Sequence, residues 1–290
     1  MKLCLACEHR FTGSEWSCPR CGRSPARRRG YPVFAPERDD HTDDYDASLF
    51  DRLAALEPGN YWFEARNRLI VWALRRFFPE ARSFLEIGCG TGFVLRAIHR
   101  ALPALTLAGT DVHSRGLAYA GARVPGARLF QMDARRIPFE DEFDVVGAFD
   151  VLEHIDNDEL VLAESGRALR HGGGLLITVP QHPFLWSPVD RHARHQRRYT
   201  RADLTAKIRR AGLAPAYATS FVSLLLPAML ASRIARRGEG RAADPLPELH
   251  VGRATNMTLA AILRLERLLI AAGLSFPVGG SLLVVARRPE

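Results

Sequence analysis

Glycines at every second position follow an apolar, strand-like segment and an acid in the first half of the chain. The segment FLEIGCGTGF contains Glu86, Gly88, Gly90 and Gly92. Nineteen residues after the last of these glycines, a second apolar segment, LTLAGTD, ends at Asp111. Glycine lets the backbone approach a ligand closely, and an acid at the tip of the second strand can accept hydrogen bonds from a ribose diol. The pattern predicts a nucleoside-binding crevice.

The glycine spacing also separates two kinds of cofactor. A dinucleotide fingerprint is G-x-G-x-x-G, in which a helix N-terminus receives a pyrophosphate. Here the pattern is G-x-G-x-G, preceded by Glu86 and followed by the bulky Phe93. A carboxylate in that place repels a pyrophosphate and suits a cationic amino-acid tail. Because S-adenosylmethionine has such a tail, a ribose and no phosphate, these residues predict S-adenosylmethionine as the cofactor.

Four of the five cysteines lie near the N-terminus, as Cys4-x2-Cys7-x10-Cys18-x2-Cys21. Two C-x-x-C pairs at this separation are typical of a tetrahedral structural zinc site, in which each pair supplies two thiolates. Disulfides are the alternative, but they rarely persist in the cytosol. The fifth cysteine, Cys89, lies inside the glycine turn, where a small side chain is needed. We therefore predict a zinc ribbon with four cysteine ligands.

Length and composition set the limits of the fold. The chain has 290 residues, 47% of them hydrophobic, and a formal net charge of +8. This length allows one full domain and a small second one. The basic charge fits contact with nucleic acid, an anionic membrane or an acidic substrate, but an arginine-rich genome explains most of it. With no N-terminal signal and no apolar run of about 20 residues, we expect a cytoplasmic protein without a transmembrane segment.

Strands and helices alternate from Ser83 onward, which is typical of an α/β fold with a parallel sheet. We predict a Rossmann-like, doubly wound, mostly parallel sheet of seven strands, at 83–87, 105–110, 127–131, 143–149, 174–179, 214–219 and 281–288. A turn over 170–174 would separate a helix from the fifth strand. A helix at 61–78 precedes the sheet. A helical insertion at 221–280 precedes the last strand and could be a lid or substrate wall, a core-covering pair or a peripheral membrane contact.

These segments divide the chain into three predicted parts. Residues 1–30 form the zinc ribbon and residues 31–59 a charged linker, because RSPARRRGYPVFAPERDDHTDDYD is polar and lacks periodicity. Residues 60–290 form the main domain.

The motifs along the core resemble those of class I S-adenosylmethionine-dependent methyltransferases, and are similar to the bacterial type 11/type 23 group. The resemblance covers about residues 60–220 and rests on FLEIGCGTGF, GTDVH, QMDARRIPF, FDVVGAFDVLEHIDN and LRHGGGLLITVPQHPFLW. Flanking segments, YWFEARNRLI and SPVDRHARHQRRYTRADL, resemble a bacterial subgroup with lipid- or glycan-related gene neighbours. The ribbon is not a regular part of this family.

The resemblance implies roles for individual residues around the cofactor. The methionine end would be held by Glu86, Gly88, Cys89, Gly90 and Gly92, the ribose by Asp111 with Val112, and the adenine by Asp133 with Met132 and Ala134. Phe149 and Asp150 would lie beside the sulfonium, with Glu153 and His154 at the start of the next helix. Two of these acids have ordinary alternatives, since Asp133 could cap a turn and Glu153 suits any helix N-terminus.

A histidine- and arginine-rich segment, DRHARHQRRY, follows the strand GLLITVP. Loops at the carboxyl ends of parallel strands carry chemistry in such sheets. We predict that His195 removes the acceptor's proton, that Asp190 orients it, that Tyr199 belongs to the same catalytic group, and that Arg197 and Arg198 grip an anionic acceptor. The alternative is a surface loop that leads into the next helix.

The predicted function is methyl transfer from S-adenosylmethionine to a small-molecule or lipid- or glycan-linked acceptor. An RNA methyltransferase that uses the ribbon to hold nucleic acid is the first alternative, but the basic residues are scattered and not interleaved with aromatic ones. A non-catalytic scaffold that binds the cofactor is the second. Turnover to S-adenosylhomocysteine separates the scaffold from either enzyme.

Overall fold

A computed structural model describes residues 1–39, 48–235 and 251–290. Its strands are β1 (Lys2–Leu3), β2 (Arg10–Phe11), β3 (Ala26–Arg28), β4 (Tyr31–Val33), β5 (Ser83–Ile87), β6 (Thr106–Asp111), β7 (Arg128–Gln131), β8 (Phe143–Phe149), β9 (Leu169–Pro180), β10 (Ala214–Phe221) and β11 (Ser281–Arg287). Its helices are α1 (Pro36–Asp39), α2 (Ser48–Leu56), α3 (Tyr61–Phe77), α4 (Phe93–Ala101), α5 (Ser114–Arg123), α6 (Asp158–Ala168), α7 (Pro188–His192), α8 (Arg201–Arg210), α9 (Leu226–Ala235) and α10 (Arg253–Ala271).

Strands β3 to β11 form one sheet in the order β10-β11-β9-β8-β5-β6-β7-β4-β3. Strands β5 to β9 pair in parallel, whereas β11 runs antiparallel between β9 and β10. The seven predicted strands are all present, so the predicted doubly wound, mostly parallel fold is confirmed. In such sheets a ligand binds beyond the carboxyl ends of the strands, where the strand order reverses. That point lies beside β5, which ends in the glycine turn.

Helix α3 covers one face of the sheet, as its apolar spacing predicts. It begins at Asn60, whose side chain accepts a hydrogen bond from the backbone N–H of Trp62. Leu69, Ile70 and Leu74 lie on its buried face. Nearer its N-terminal end, Arg66 of the same helix pairs with Asp150, which follows β8.

The glycine triplet before residue 175 was predicted to be a turn, but it lies inside β9. A Cβ on Gly174 would lie 1.9 Å from the ring of Phe78. Glycine is required there because the aromatic ring packs directly on the strand backbone. Gly174 therefore reflects close packing of an aromatic ring on a strand.

The segment predicted as a charged linker contains ordered secondary structure in its described residues. Strand β4 pairs in parallel with β7, with Val33 opposite Gln131. The Gln131 side chain also donates to the backbone oxygen of Ala35 and accepts from its N–H. The two added strands extend the predicted seven-stranded sheet to nine. The remainder of the predicted linker, residues 40–47, lies outside the described residues.

Trp16 joins the ribbon to the main core. Its ring packs edge-on against Phe34, Phe130 and Phe139, with centroids 4.7, 5.6 and 5.4 Å away. The backbone adds to this contact, because the Leu3 N–H donates to the oxygen of Pro138. Ribbon and main domain therefore share one packed interface.

The insertion before β11 supplies α9 and α10. Helix α10 packs against α3, and its buried Glu266 accepts hydrogen bonds from the backbone N–H groups of residues 222, 223 and 224. These contacts fit the core-covering alternative. The segment DPLPE, in residues 236–250, lies outside the described residues. None of the described helices is long and apolar enough to cross a bilayer.

Candidate cofactor and acceptor site

The glycine turn after β5 is shaped by backbone geometry that favours glycine. Gly90 and Gly92 have φ of 50° and 74°. A Cβ on Gly92 would lie 2.6 Å from Cα of Ala120, so this glycine lets α4 begin directly against α5. A Cβ on Gly90 would meet no described atom within 4 Å. The turn is therefore tightly packed underneath and open at Gly90.

Glu86 is a buried acid with an unused oxygen. Its side chain is at the end of β5 and the residue is 2% exposed. Within the described chain, Oε2 has no hydrogen-bond partner. Burial raises the pKa of this carboxyl well above its usual range; the Arg66 charge opposes the shift, and Asp111 and Glu57 add to it. An unpartnered buried carboxylate oxygen fits a ligand's ammonium group.

Asp111 is held rigidly beside the turn. Its Oδ2 accepts from the Gly90 N–H at 2.8 Å and its Oδ1 from the His113 N–H at 2.9 Å. Burial raises the pKa of this carboxyl, although His113 and the two N–H groups oppose the shift. Each oxygen keeps a second lone pair, so the oriented carboxylate can still accept from a diol.

The other predicted cofactor residues line the same edge of the sheet. Cys89, Met132 and Phe149 are buried, whereas Val112 and Ala134 are partly exposed. Asp133 is paired with Arg135, whose Nη2 lies 2.7 Å from Oδ2. Burial would raise the pKa of Asp133, but hydrogen bonds from Arg135 outweigh it and lower the pKa. An adenine amino group would therefore share this carboxylate with an arginine.

A buried network that the sequence did not reveal supports the glycine turn from below. The Thr91 hydroxyl donates to Glu57 at 2.6 Å, and Arg123 Nη1 donates to both of these side chains. Glu57 is 5% exposed. It lies in the segment predicted as linker, and its partners are 34 and 66 residues away. Sequence spacing gives no signal for such distant pairs.

Arg66 is a second residue that sequence reasoning missed. It lies on α3, in the segment YWFEARNRLI, and its Nη1 donates to Asp150 Oδ2 at 2.5 Å. Its guanidinium also stacks 4.7 Å from the ring centre of Trp62. Asp150 has a φ of 57°, unusual for a residue other than glycine. The ion pair thus fixes the acid that follows β8 at the mouth of the crevice.

The predicted Asp190–His195 pair is present. His195 Nδ1 lies 2.9 Å from Asp190 Oδ1. Asp190 also accepts from Arg198 Nε at 2.7 Å and from the Ser187 backbone N–H at 2.8 Å. Burial opposes ionisation of Asp190, but His195 and Arg198 hold its pKa well below the usual range. The carboxylate is therefore charged, and it fixes the orientation of the imidazole.

Glu153 and His154 lie next to this pair, on a single 3-10 turn over Leu152–His154 rather than at the start of α6. The rings of His154 and His195 have centroids 4.8 Å apart. Burial raises the pKa of Glu153, with Asp150 adding to the shift. Burial and then the neighbouring His195 lower the pKa of His154 to about 3. His154 is therefore neutral at physiological pH.

Three predicted side chains are engaged in contacts with carboxylates of the protein. Tyr199 is fully buried in the core, and its hydroxyl donates to Asp158 at 2.7 Å. Burial and this hydrogen bond raise the pKa of Tyr199. Arg197 pairs with the same Asp158, and Arg198 with Asp190. The predicted catalytic role of Tyr199 and the anion-gripping role of the arginines do not fit, because all three are occupied in structural contacts.

The four predicted metal-ligating cysteines converge. The sulfurs of Cys4 and Cys21 lie 3.6 Å apart and those of Cys7 and Cys18 lie 3.7 Å apart. Four sulfurs at about 2.3 Å from a central zinc ion would be separated by about 3.8 Å. Backbone N–H groups of Ala6 and residue 7 outweigh burial and lower the pKa of the Cys4 thiol to about 7. The donor set and spacing fit a tetrahedral zinc ion.

The strand order, the glycine turn and the two acids at the ends of β5 and β6 define the class I S-adenosylmethionine-dependent methyltransferase fold. A family model described as a methyltransferase domain matches residues 85–177.

Known proteins support this assignment. A probable S-adenosylmethionine-dependent methyltransferase of Mycobacterium tuberculosis is 32% identical over 43% of this chain and 44% of its own. A second one, of Mycolicibacterium smegmatis, is 30% identical over 55% of this chain and 62% of its own. The chain thus spans less than two thirds of these relatives. Phosphoethanolamine N-methyltransferase 2 of Haemonchus contortus, solved with S-adenosylmethionine, shares the fold with a TM-score of 0.58 at 18% identity, covering 86% of this chain and 58% of its own. Residues 85–177 therefore match a methyltransferase domain, and the chain shares the fold of a solved methyltransferase.

Proposed function

We propose that this protein transfers a methyl group from S-adenosylmethionine to a small-molecule or lipid- or glycan-linked acceptor. The observation that carries the proposal is the unpartnered oxygen of buried Glu86 beside the open face of Gly90. An ammonium group there would relieve the cost of the buried acid, and Asp111 is oriented to accept from a ribose. Both relatives described above bear the name of this activity.

The bound cofactor supplies an electrophilic methyl group on a good leaving group. The chain's own contribution is therefore alignment and exclusion of water. Glu86 and Asp111 fix the two ends of the ligand, and the Arg66–Asp150 pair borders the region where the acceptor must approach. His195, held by Asp190, is the candidate to receive a proton from an oxygen or nitrogen acceptor.

Asp111→Ala tests the cofactor assignment. We expect S-adenosylmethionine affinity to fall by about 1.5–3 kcal/mol, because charge-assisted hydrogen bonds to the diol are lost. Titration calorimetry measures this. The control is Asp203→Ala, on the exposed face of α8, which should bind as the parent does. Unchanged affinity in Asp111→Ala, or preference of the parent for NAD, contradicts the proposal.

The ion pairs of the basic residues favour a small or lipid- or glycan-linked acceptor over RNA. Arginines at the crevice, such as Arg66, Arg135 and Arg198, each pair with a carboxylate of the protein. Such arginines are not available for phosphate contacts. RNA mobility shifts over a salt series decide the matter, since phosphate contacts weaken steeply with salt. A tight, salt-dependent shift would support the RNA alternative.

We further propose that the four-cysteine cluster holds one structural zinc ion. The convergence of the four sulfurs supports this, because a closed tetrahedral set of thiolates stabilises a module with almost no core of its own.

A further inference from the structure

We infer that Glu153, His154 and His195 form a second metal site, for a divalent first-row transition ion, on the acceptor side of the crevice. One donor atom from each of these side chains lies within 4.8 Å of the others. The site lies beside Asp150, at the end of β8. Its description as the acceptor side rests on the proposed function; the binding of an ion does not. The three residues come from two segments, the turn after β8 and the loop between α7 and α8.

The strongest observation is the isolation of the Glu153 carboxyl group. Glu153 is 0% exposed, and within the described residues neither of its oxygens has a hydrogen-bond partner. A buried carboxyl that makes no hydrogen bond is costly, and proteins pair such groups or let them coordinate metals. A cation bound between this carboxylate and the two imidazoles would satisfy the group.

The groups behind His195 are arranged as in metal sites. His195 uses Nδ1 to contact Asp190, which leaves Nε2 to bind an ion. Asp190 is itself fully buried and is held by Ser187 and Arg198. Metal-ligating histidines almost always donate their second N–H to a carboxylate or a backbone carbonyl, and Asp190 is such a carboxylate.

The backbone holds the two ligand-bearing segments together. The N–H of Gln196 donates to the backbone oxygen of Glu153 at 2.6 Å, and the N–H of His195 to the backbone oxygen of Asp190 at 2.8 Å. These bonds set the separation of Glu153 and His195 through the backbone. The donor set is therefore preorganised, as a metal site requires.

The donor types indicate which ion would bind and what it would do there. Two imidazoles and one carboxylate suit zinc, iron, cobalt or manganese rather than calcium or magnesium, which prefer oxygen ligands alone. Three protein ligands leave coordination positions open, as in catalytic rather than structural sites. An acceptor with oxygen donors would fill them. In the metal-free protein His195 can receive the acceptor's proton, as proposed above. With the ion bound, Nε2 of His195 is a ligand, and the residue orients the acceptor through the metal.

The test uses the full chain with the cysteine site filled by zinc, titrated with Co²⁺. We expect one further equivalent to bind, with a visible spectrum of nitrogen and oxygen ligands and no thiolate charge-transfer band. Glu153→Gln and His195→Ala should abolish saturable Co²⁺ binding. Asp190→Asn should weaken it about 10- to 100-fold, since it changes the outer partner of His195 and leaves the three ligands in place. His99→Ala, an exposed histidine of α4, is the matched control and should bind as the parent does.

Circular dichroism and S-adenosylmethionine calorimetry on the same variants separate loss of the site from loss of the fold. A folded parent that binds no Co²⁺ beyond the cysteine site overturns the inference, and so does equal binding by the parent and Glu153→Gln. Either result leaves the proposed function standing if the parent still binds S-adenosylmethionine. Saturable Co²⁺ binding in a parent that fails to bind S-adenosylmethionine supports the metal site and counts against the proposed function alone.

Discussion

Two buried acids, Glu86 and Glu153, lack compensating contacts within the described residues. Glu86 and Glu153 are both fully enclosed, and each has at least one carboxylate oxygen without a partner among the described residues. Neither arrangement helps the free protein, because the charged form is desolvated without compensation. Both become favourable if a cation is present, an ammonium at Glu86 and, in our inference, a metal ion at Glu153.

Glu86→Gln should stabilise the ligand-free protein at neutral pH by about 0.5–2 kcal/mol, because it removes the cost of a buried carboxylate. This range is typical of single stabilising substitutions. The folded-state pKa of Glu86 is raised above its unfolded value of about 4.3. Stability of the parent therefore falls as pH rises from about 4.3 through the folded pKa, and the variant escapes this fall. Chemical denaturation from pH 4 to pH 8 measures the difference, which should vanish near pH 4.

The same substitution should weaken S-adenosylmethionine binding, since the amide offers no charge to the ammonium group. Glu80→Gln, an exposed acid after α3, is the control for both measurements. A Glu86→Gln variant that is less stable than the parent at pH 7 would show that the carboxylate has a structural partner.

At this scale the sequence reveals residues whose partners are close in the chain or whose motif is complete. Glu86, Asp111 and the cysteines belong to such motifs, and the Asp190–His195 pair spans five residues. Glu57 and Arg66 were missed because their partners lie 34 to 84 residues away. Tyr199 was misassigned because a polar side chain in a histidine-rich loop gives no sign of its burial.

The elements that surround the crevice are connected by capping contacts as well as by apolar packing. Val222, which follows β10, has a φ of 57°, strained for a β-branched residue. Glu266 on α10 holds this turn by accepting from the N–H groups of residues 222, 223 and 224, with lengths of 2.6, 2.6 and 2.8 Å. One side chain thus fixes the end of β10, the approach to α9 and the position of α10.

Glu266→Gln should destabilise the protein by about 1–3 kcal/mol, because the amide nitrogen cannot accept and leaves buried N–H groups unsatisfied. Urea unfolding measures the loss, and hydrogen exchange at residues 222–224 should speed up in the native state. Glu64→Gln, on the more exposed side of α3, is the control. Equal stability and equal exchange in parent and variant would mean that water replaces the carboxylate.

Long periodic elements are predictable from the sequence, and short ones that depend on distant partners are not. The prediction of α3 missed its end by one residue, and β5 and β8 were predicted with their observed bounds. Strands β3 and β4 have three residues each, with arginines, a glycine between them and a proline in β4. They form a sheet edge because β7 and Gln131 supply partners almost a hundred residues later.

For the whole molecule, the contact between the ribbon and the sheet determines whether the two parts are independent. The sequence predicts a ribbon that is independent of the main domain, since a charged segment separates them. In the structure, Trp16 lies among Phe34, Phe130 and Phe139, and Arg10 and the N-terminal ammonium pair with Glu140 and Glu142. The cysteines on either side of Trp16 therefore lie in a segment that packs against the sheet.

Cys18→Ser should remove the zinc ion and also lower the melting temperature of the whole protein. Loss of the fourth thiolate frees the loop that carries Trp16, and burial of an aromatic side chain of this kind contributes about 1.5–3 kcal/mol. For a chain of this size that corresponds to a fall of about 3–6 °C. Elemental analysis and scanning calorimetry measure both effects, and Cys89→Ser, outside the ribbon, should keep its zinc.

If Cys18→Ser loses zinc while the main transition stays at the parent's temperature, the ribbon is thermodynamically independent and its contact with the sheet contributes little. A single transition at a lower temperature would instead show that the ribbon and the main domain unfold together, because the ribbon packs against the sheet at β4 and β7.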